Sequence, residues 1–357
     1  MKIGTIVLLS LGIVVVHPHL KMPLTTDFIR GGGVVVPGSA WPFVCITIMC
    51  GAISGFHSLV SSGTTPRMIN SENDIRFIGY GAMLVEGFVA IAALIAAGAM
   101  HPHDYFAINA KSLDLIPAWA GTGGHLEDLT RMVGEQRLAG RTGGAVSLAV
   151  GMTQIFSGVP GLRALMAYWY HFAIMFEALF ILTALDTGTR IARFIVQDFL
   201  RLRRSAAAEK VTAGYPLIIA TGAATSVCWG YLLYGNDITT IWPMFGIANQ
   251  LLAGIALAIG TTYILRTTRF SYARVTAFPL AFVLVTTLYA GWLNIRDNYL
   301  PNHSYLNAFL TAAMMLMAVL ITILSAVVWA RLLAGRKAGE AAAVAPAPAA
   351  DKVPTDG

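Results

Sequence analysis

Two carboxylates stand where a chain can least tolerate them. Glu86 is the ninth residue of IGYGAMLVEGFVAIAALIAAGAM, and Glu177 lies near the middle of ALMAYWYHFAIMFEALFILTAL. At bilayer depth an acid costs roughly 2.5 to 3.5 kcal/mol on insertion scales, so each needs a partner, a proton or a job. Each reads as a group that binds and releases a proton during a transport cycle, or as a hydrogen-bonded glutamate tying helices together. Tyr170, seven residues before Glu177 and on the same helical face, is the expected partner for it. His171, pointing elsewhere, is expected to bond between helices.

The densest polar segment is WPFVCITIMCGAISGFHSLVSSGTTP, residues 41–66. Gly51, Ser54, Gly55, Ser58 and Ser62 recur at helical spacing and include a Gly-x-x-x-Gly, a face small enough for another backbone to approach. Ser54, His57 and Ser61 form a second line that presents an imidazole between two hydroxyls. His57 lies either in a polar cavity or in a satisfied core. Gly63, Thr64, Thr65 and Pro66 then predict a broken helix, which hydrocarbon tolerates only where protein or water covers it. Ser58 and Thr64 join His57 as candidate substrate contacts. A second break is expected in IWPMFGIANQLLAG, where Asn249 and Gln250 place two amides inside a span; these either bond a carboxylate or peptide group or clamp two helices.

Other chemistry is thin. No H-E-x-x-H, Walker loop, G-x-S-x-G or C-x-x-C occurs, so no enzyme is expected. Cys45, Cys50 and Cys228 sit in apolar runs as small hydrophobes. His101, His103 and Asp104 in HPHDY, with His17 and His19, are imidazoles and a carboxylate without a second-shell pattern, so neither metal nor cofactor is expected. In LDTGTR, Asp186 can pair with Arg190 at i, i+4, ending a span or forming an inner gate.

The elements that must position these groups follow from composition. Of 357 residues, 56% are hydrophobic and 12% charged, about half the charge of a soluble domain. Runs such as 211–236 and 298–330 carry no Asp, Glu, Lys or Arg. They lack the alternation of barrel strands, so each is expected to be a membrane helix. Spans are predicted near 3–16, 41–60, 78–100, 164–185, 214–234, 242–265, 275–294 and 307–330, an all-α polytopic membrane protein of about eight helices across residues 1–334. Residues 101–163 form an outer segment in which the short apolar stretch 146–159 is interfacial or re-entrant. Residues 335–357, Ala/Pro-rich, are expected to be a disordered tail.

Basic residues set the orientation. With both termini cytoplasmic, the inner side holds Lys2, Arg67, Arg76, the group from Arg190 to Lys210, Arg266, Arg269, Arg274, Arg331, Arg336 and Lys337. Residues 189–204 alternate apolar and Arg positions, the pattern of an amphipathic helix on an anionic inner leaflet. The net charge of +6 is thereby spent on lipid, with no nucleic acid expected.

The strings CGAISGFHSLVSSGTTPRMI, IGYGAMLVEG, AYWYHFAIMFEALFILTALDTGTRIARF and IWPMFGIANQLLAG closely resemble the carbon starvation protein A family of bacterial inner-membrane proteins. The resemblance runs to about residue 330. It implies secondary uptake of pyruvate or peptides during nutrient limitation, proton-coupled, with a distant relation to LeuT-like inverted-repeat transporters. Family members are longer, and the chain resembles their C-terminal half to two thirds. The implied partners are a small carboxylate or short peptide, protons, and a second chain supplying N-terminal spans; the alternative is a truncated or split-gene subunit that does not transport alone.

Overall fold

Backbone amides in an apolar chain must find their partners within it, and here they do so almost wholly in helices. The computed structural model describes residues 2–344 apart from 37, 111, 122–123, 160, 204–214, 235–237 and 269; the described residues contain no strand. The helices are α1 (Lys2–Val16), α2 (Cys45–Ala52), α3 (Gly55–Leu59), α4 (Asn73–Arg76), α5 (Ala82–Ala99), α6 (Pro102–Asn109), α7 (Leu126–Val133), α8 (Ala145–Ser157), α9 (Met166–Arg203), α10 (Tyr215–Tyr234), α11 (Ile238–Thr267), α12 (Phe270–Asn294) and α13 (Tyr305–Val344).

Among the described residues six helical stretches are long and apolar enough to cross a membrane: Ala40–Arg67, Asn73–Ala99, Arg163–Phe199, Met244–Thr267, Ser271–Tyr299 and Tyr305–Gly335. The spans expected at 41–60, 78–100, 164–185, 242–265, 275–294 and 307–330 fall on these. The stretch at 3–16 is α1, whose 15 residues rise only about 22 Å, short of a ~30 Å hydrocarbon core. The one expected at 214–234 is α10, with 20 residues. The span at 164–185 and the amphipathic helix at 189–204 are one continuous helix, α9, because no Gly or Pro interrupts LDTGTR strongly enough to end it. Arg204 lies outside the described residues. So do residues 345–357 of the expected tail, whose first part continues α13 to Val344.

The chain divides into two compact units, Met1–Cys45 with Leu59–Asn236, and Ile46–Ser58 with Asp237–Gly357. The first is built around α8. Its 13 residues are too few to cross a bilayer, and they are enclosed by protein instead: Val150 and Met152 are wholly buried, with Ile155 and Phe156 nearly so. Small residues let the neighbours close in. A Cβ on Gly12 of α1 would meet the Phe156 ring at 2.9 Å, and one on Gly151 would stand 2.5 Å from the Ala96 carbonyl oxygen of α5. Ala92, Ala96, Met100, Met166, Tyr170 and Ala173 complete this core. Polar groups on the buried helix are satisfied locally: Thr153 donates to the Ala149 carbonyl at 2.6 Å, and Asn109 Nδ2 donates to Ser147 Oγ at 2.6 Å. The segment expected at 146–159 to be interfacial or re-entrant is thus the enclosed axis of its unit.

In the second unit α11 packs on α12 and α13. Ala258, Leu280 and Leu284 form the apolar contact, and hydroxyls tie the helices where hydrocarbon would leave them bare: Thr261 Oγ1 donates to Thr276 Oγ1 at 2.8 Å, and Trp329 Nε1 donates to Thr262 Oγ1 at 2.7 Å. The outer faces stay apolar, with Phe278 and Phe309 at least 70% exposed to what must be lipid or protein. Replacing Phe156 by Ala is expected to lower the unfolding free energy by about 3 kcal/mol through the cavity it leaves. Phe309→Ala should cost far less. Thermal or denaturant unfolding in detergent, followed by tryptophan fluorescence, checks the contrast.

Candidate functional site

The chain between α2 and α3 leaves the helical path for two residues, Ile53 and Ser54. Ile53 still donates to the Met49 carbonyl at 2.7 Å, the last bond of α2. The first amides of α3 then have no carbonyl a turn behind them, the ordinary deficit of a helix start. Side chains fill it. Ser54 is the N-cap, its Oγ accepting from the His57 amide at 3.4 Å. Asn249, from the continuous helix α11, accepts the Phe56 amide on Oδ1 at 2.8 Å and the Ser54 hydroxyl at 3.2 Å, while its Nδ2 donates to Cys50 Sγ at 3.0 Å.

One buried amide therefore grips both sides of the break. It can do so because Gly55 has no side chain: a Cβ there would collide with the Asn249 carbonyl oxygen and lie 2.6 Å from Leu252 Cβ. At Gly51, the other half of the Gly-x-x-x-Gly, a Cβ meets nothing within 4 Å, so close approach is confined to Gly55. Beside Asn249, Gln250 is wholly buried, and neither Oε1 nor Nε2 has a hydrogen-bond partner among the described residues.

The two breaks expected from the sequence are placed differently by the structure. Residues 63–66 do not break the helix outright; Val60–Thr64 form a π turn and Thr65–Arg67 a 3-10 turn, with Thr64 Oγ1 donating to the Val60 carbonyl at 3.2 Å. No break occurs in 241–254, since α11 runs unbroken from Ile238 to Thr267. Ser58 donates to the Gly55 carbonyl at 2.6 Å, and His57 is exposed on α3.

In the first unit Glu86 is exposed on α5 and Glu177 half-buried on α9. Tyr170 is not bonded to Glu177; its hydroxyl is buried at the end of α9 covered by α8. His171 bonds the Ala167 carbonyl of its own helix at 2.8 Å rather than a neighbouring helix. Asp186 and Arg190 do pair, at 2.9 Å on an exposed face. Further along, the guanidinium of Arg67 lies 4.2 Å from the Phe194 ring centre, a cation–π contact that no local pattern announces.

Among the described residues no group of three or more His, Cys, Asp or Glu is placed to hold a metal ion. Asp104, from HPHDY, is instead almost wholly buried, 3.9 Å from His103 Nδ1. The nearby Tyr105 hydroxyl, also in this segment, is pushed above the ordinary tyrosine range by burial.

Gly55→Ala is expected to destabilise the second unit by about 1–3 kcal/mol, because the new methyl meets backbone that cannot yield. Gly51→Ala, into open space, should be neutral or gain up to about 1 kcal/mol of helix propensity. Paired melting curves of the two variants test where the backbones touch.

A family model described as Carbon starvation protein CstA matches residues 1–290. The chain is 46% identical to the peptide transporter CstA of Bacillus subtilis (strain 168) over 87% of its own length and 52% of that protein's. It is 45% identical to the peptide transporter CstA of Escherichia coli (strain K12), covering 82% and 45%, and 43% identical to the pyruvate/proton symporter BtsT of the same organism, covering 83% and 46%. It thus spans about half the length of the curated relatives it matches. No solved structure matches it significantly. With a family match over most of its residues and this level of identity, the chain belongs to the carbon starvation protein CstA family.

Proposed function

We propose that the chain contributes to proton-linked uptake of a short peptide or small carboxylate across a bacterial inner membrane, with both termini cytoplasmic. The observation that carries the reading is the buried Gln250 amide, unpartnered among the described residues and next to the residue that holds a helix break together. Leaving a buried amide unbonded costs about 1–3 kcal/mol, a cost a polar ligand would remove. Discontinuous helices with freed backbone groups are how many secondary transporters build their sites. Relatives named as a peptide transporter and as a pyruvate/proton symporter support the same class.

In this reading Asn249 and Gln250 hold the substrate's carboxylate or peptide groups, with His57 and Ser58 on the adjoining α3 as further contacts; Thr64, in the π turn of the first unit, is a substrate contact of its own. Glu86 and Glu177 carry protons. The Asp186–Arg190 pair opens and closes an inner gate, and the basic half of α9 rests on anionic lipid. The face of α5 that carries Glu86, with Met83, Leu84 and Phe88 exposed around it, is completed by further spans, including those a second chain would supply. An acid on such a face is too costly to leave to hydrocarbon. No catalytic role is assigned to any residue.

Proteoliposome uptake of labelled dialanine and pyruvate, with and without an inward proton gradient, tests the proposal. Gradient-stimulated uptake of at least one is expected, reduced tenfold or more in Glu86→Gln and Glu177→Gln. Gradient-driven uptake that both variants retain in full contradicts the proton assignment, and uptake indifferent to the gradient contradicts the coupling.

A further inference from the structure

Within the first unit, a cavity of about 400 Å³ opens between α6, α7, α8 and the start of α9. That is within the ~300–1,000 Å³ of small-molecule sites. Its wall is charged with both signs. Asp104 lines it with a side chain only 2% exposed, and Oδ1 of that carboxylate has no hydrogen-bond partner. The His103 imidazole lies 3.9 Å from Oδ1, beyond hydrogen-bond range, and Gly124 packs against both, where a Cβ would stand 2.6 Å from Oδ1. The other acid on the wall, Asp128, is already engaged by Arg131 at 2.5 Å and lies 4.0 Å from His125. Lys21 and Arg163 also line the cavity, and neither makes an ion pair among the described residues. His101 contributes a buried Nδ1 without a partner.

A buried carboxylate oxygen without a donor is among the costlier things a protein can keep, unless a cation arrives to meet it. Asp104 borders a space whose other unpaired charged groups, Lys21 and Arg163, call for an anion. One class of ligand answers both demands at once. We propose that this cavity binds a small zwitterion, the free ammonium of an amino acid or short peptide on Asp104 and its carboxylate between Lys21 and Arg163. Leu129, Met132 and Met166 supply an apolar wall for the ligand's body. A plain carboxylate such as pyruvate satisfies only the cationic half, so the cavity favours peptides over it. The inference concerns binding alone and stands apart from the transport reading: uptake can fail while this site fills, and the converse.

Calorimetric titration of the purified full chain in nanodiscs tests it, with L-alanyl-L-alanine as the probe and N-acetyl-alanyl-alanine, alanyl-alanine amide and pyruvate as controls. Dialanine is expected to bind at least tenfold more tightly than each control. Asp104→Asn should erase the preference over the N-acetyl compound. Lys21→Gln/Arg163→Gln, which alters two exposed side chains and spares the core, should erase the preference over the amide. Equal binding of dialanine and its N-acetyl form by the wild-type chain, no binding of dialanine, or an undiminished preference over the amide in the Lys21/Arg163 variant overturns the proposal.

Discussion

Everything distinctive about the second unit depends on one side-chain amide reaching across 193 residues of sequence to accept a backbone N–H. A helix interrupted in an apolar setting exposes donors and acceptors that lipid cannot satisfy. Asn249 removes that penalty at Phe56, Ser54 removes it at His57, and Gly55 permits the approach that makes the first bond possible. Take away any one and the break becomes a liability, since each buried unsatisfied group costs about 1–3 kcal/mol. Because Asn249 of a neighbouring helix adds its bonds to that of Ser54, Ile53 and Ser54 can leave the helical path without water. The unpartnered Gln250 amide sits beside this arrangement, where a polar ligand would find donors and an acceptor already desolvated.

The first unit solves a different problem. Its axis, α8, is too short to span and too apolar to leave exposed, and it is buried in a core shared with α1, α5, α7 and α9, with α1 and α5 coming close at Gly12, Ala96 and Gly151. Close packing of small residues supplies the contact that hydrophobic burial cannot provide between helices in lipid. Charged groups gather around the end of the same axis, where Gln154 and Ser157 border the cavity that also holds Asp104. Packing and polarity thus share the last turns of one helix, where Ile155 and Phe156 are buried in the core and Gln154 and Ser157 border the cavity.

Much of this was legible in the residues themselves. Long charge-free runs gave the membrane stretches because length and hydropathy are local quantities. Gly55 was legible as a point of backbone approach, and Asp186 with Arg190 as an i, i+4 pair. The position of the break was not. Thr64 and Pro66 resemble breakers, yet a π turn followed by a 3-10 turn accommodates them, whereas the real interruption at Ile53–Ser54 rests on an acceptor from α11 that no local pattern displays. Asn249 was legible as a polar residue within a span, with clamp and substrate contact both open; its bonds reach both sides of the break. Tyr170 shares a helical face with Glu177 on paper, but α8 covers only the first turns of α9, so the tyrosine is buried and the glutamate half-buried. The charges around Asp104 were not legible because Lys21 and Arg163 lie far from it in sequence, one on either side.

The central claim is that Asn249 holds the interrupted helix in place. Amide hydrogen exchange over residues 53–59, read by mass spectrometry in Asn249→Leu against the wild-type chain, tests it most directly, since leucine keeps the bulk and removes the acceptor. Loss of that acceptor predicts exchange at least about tenfold faster in this peptide, with α12 unchanged, as expected for about 1.4 kcal/mol or more of lost local stability. Exchange of the 53–59 amides at the wild-type rate would contradict the account.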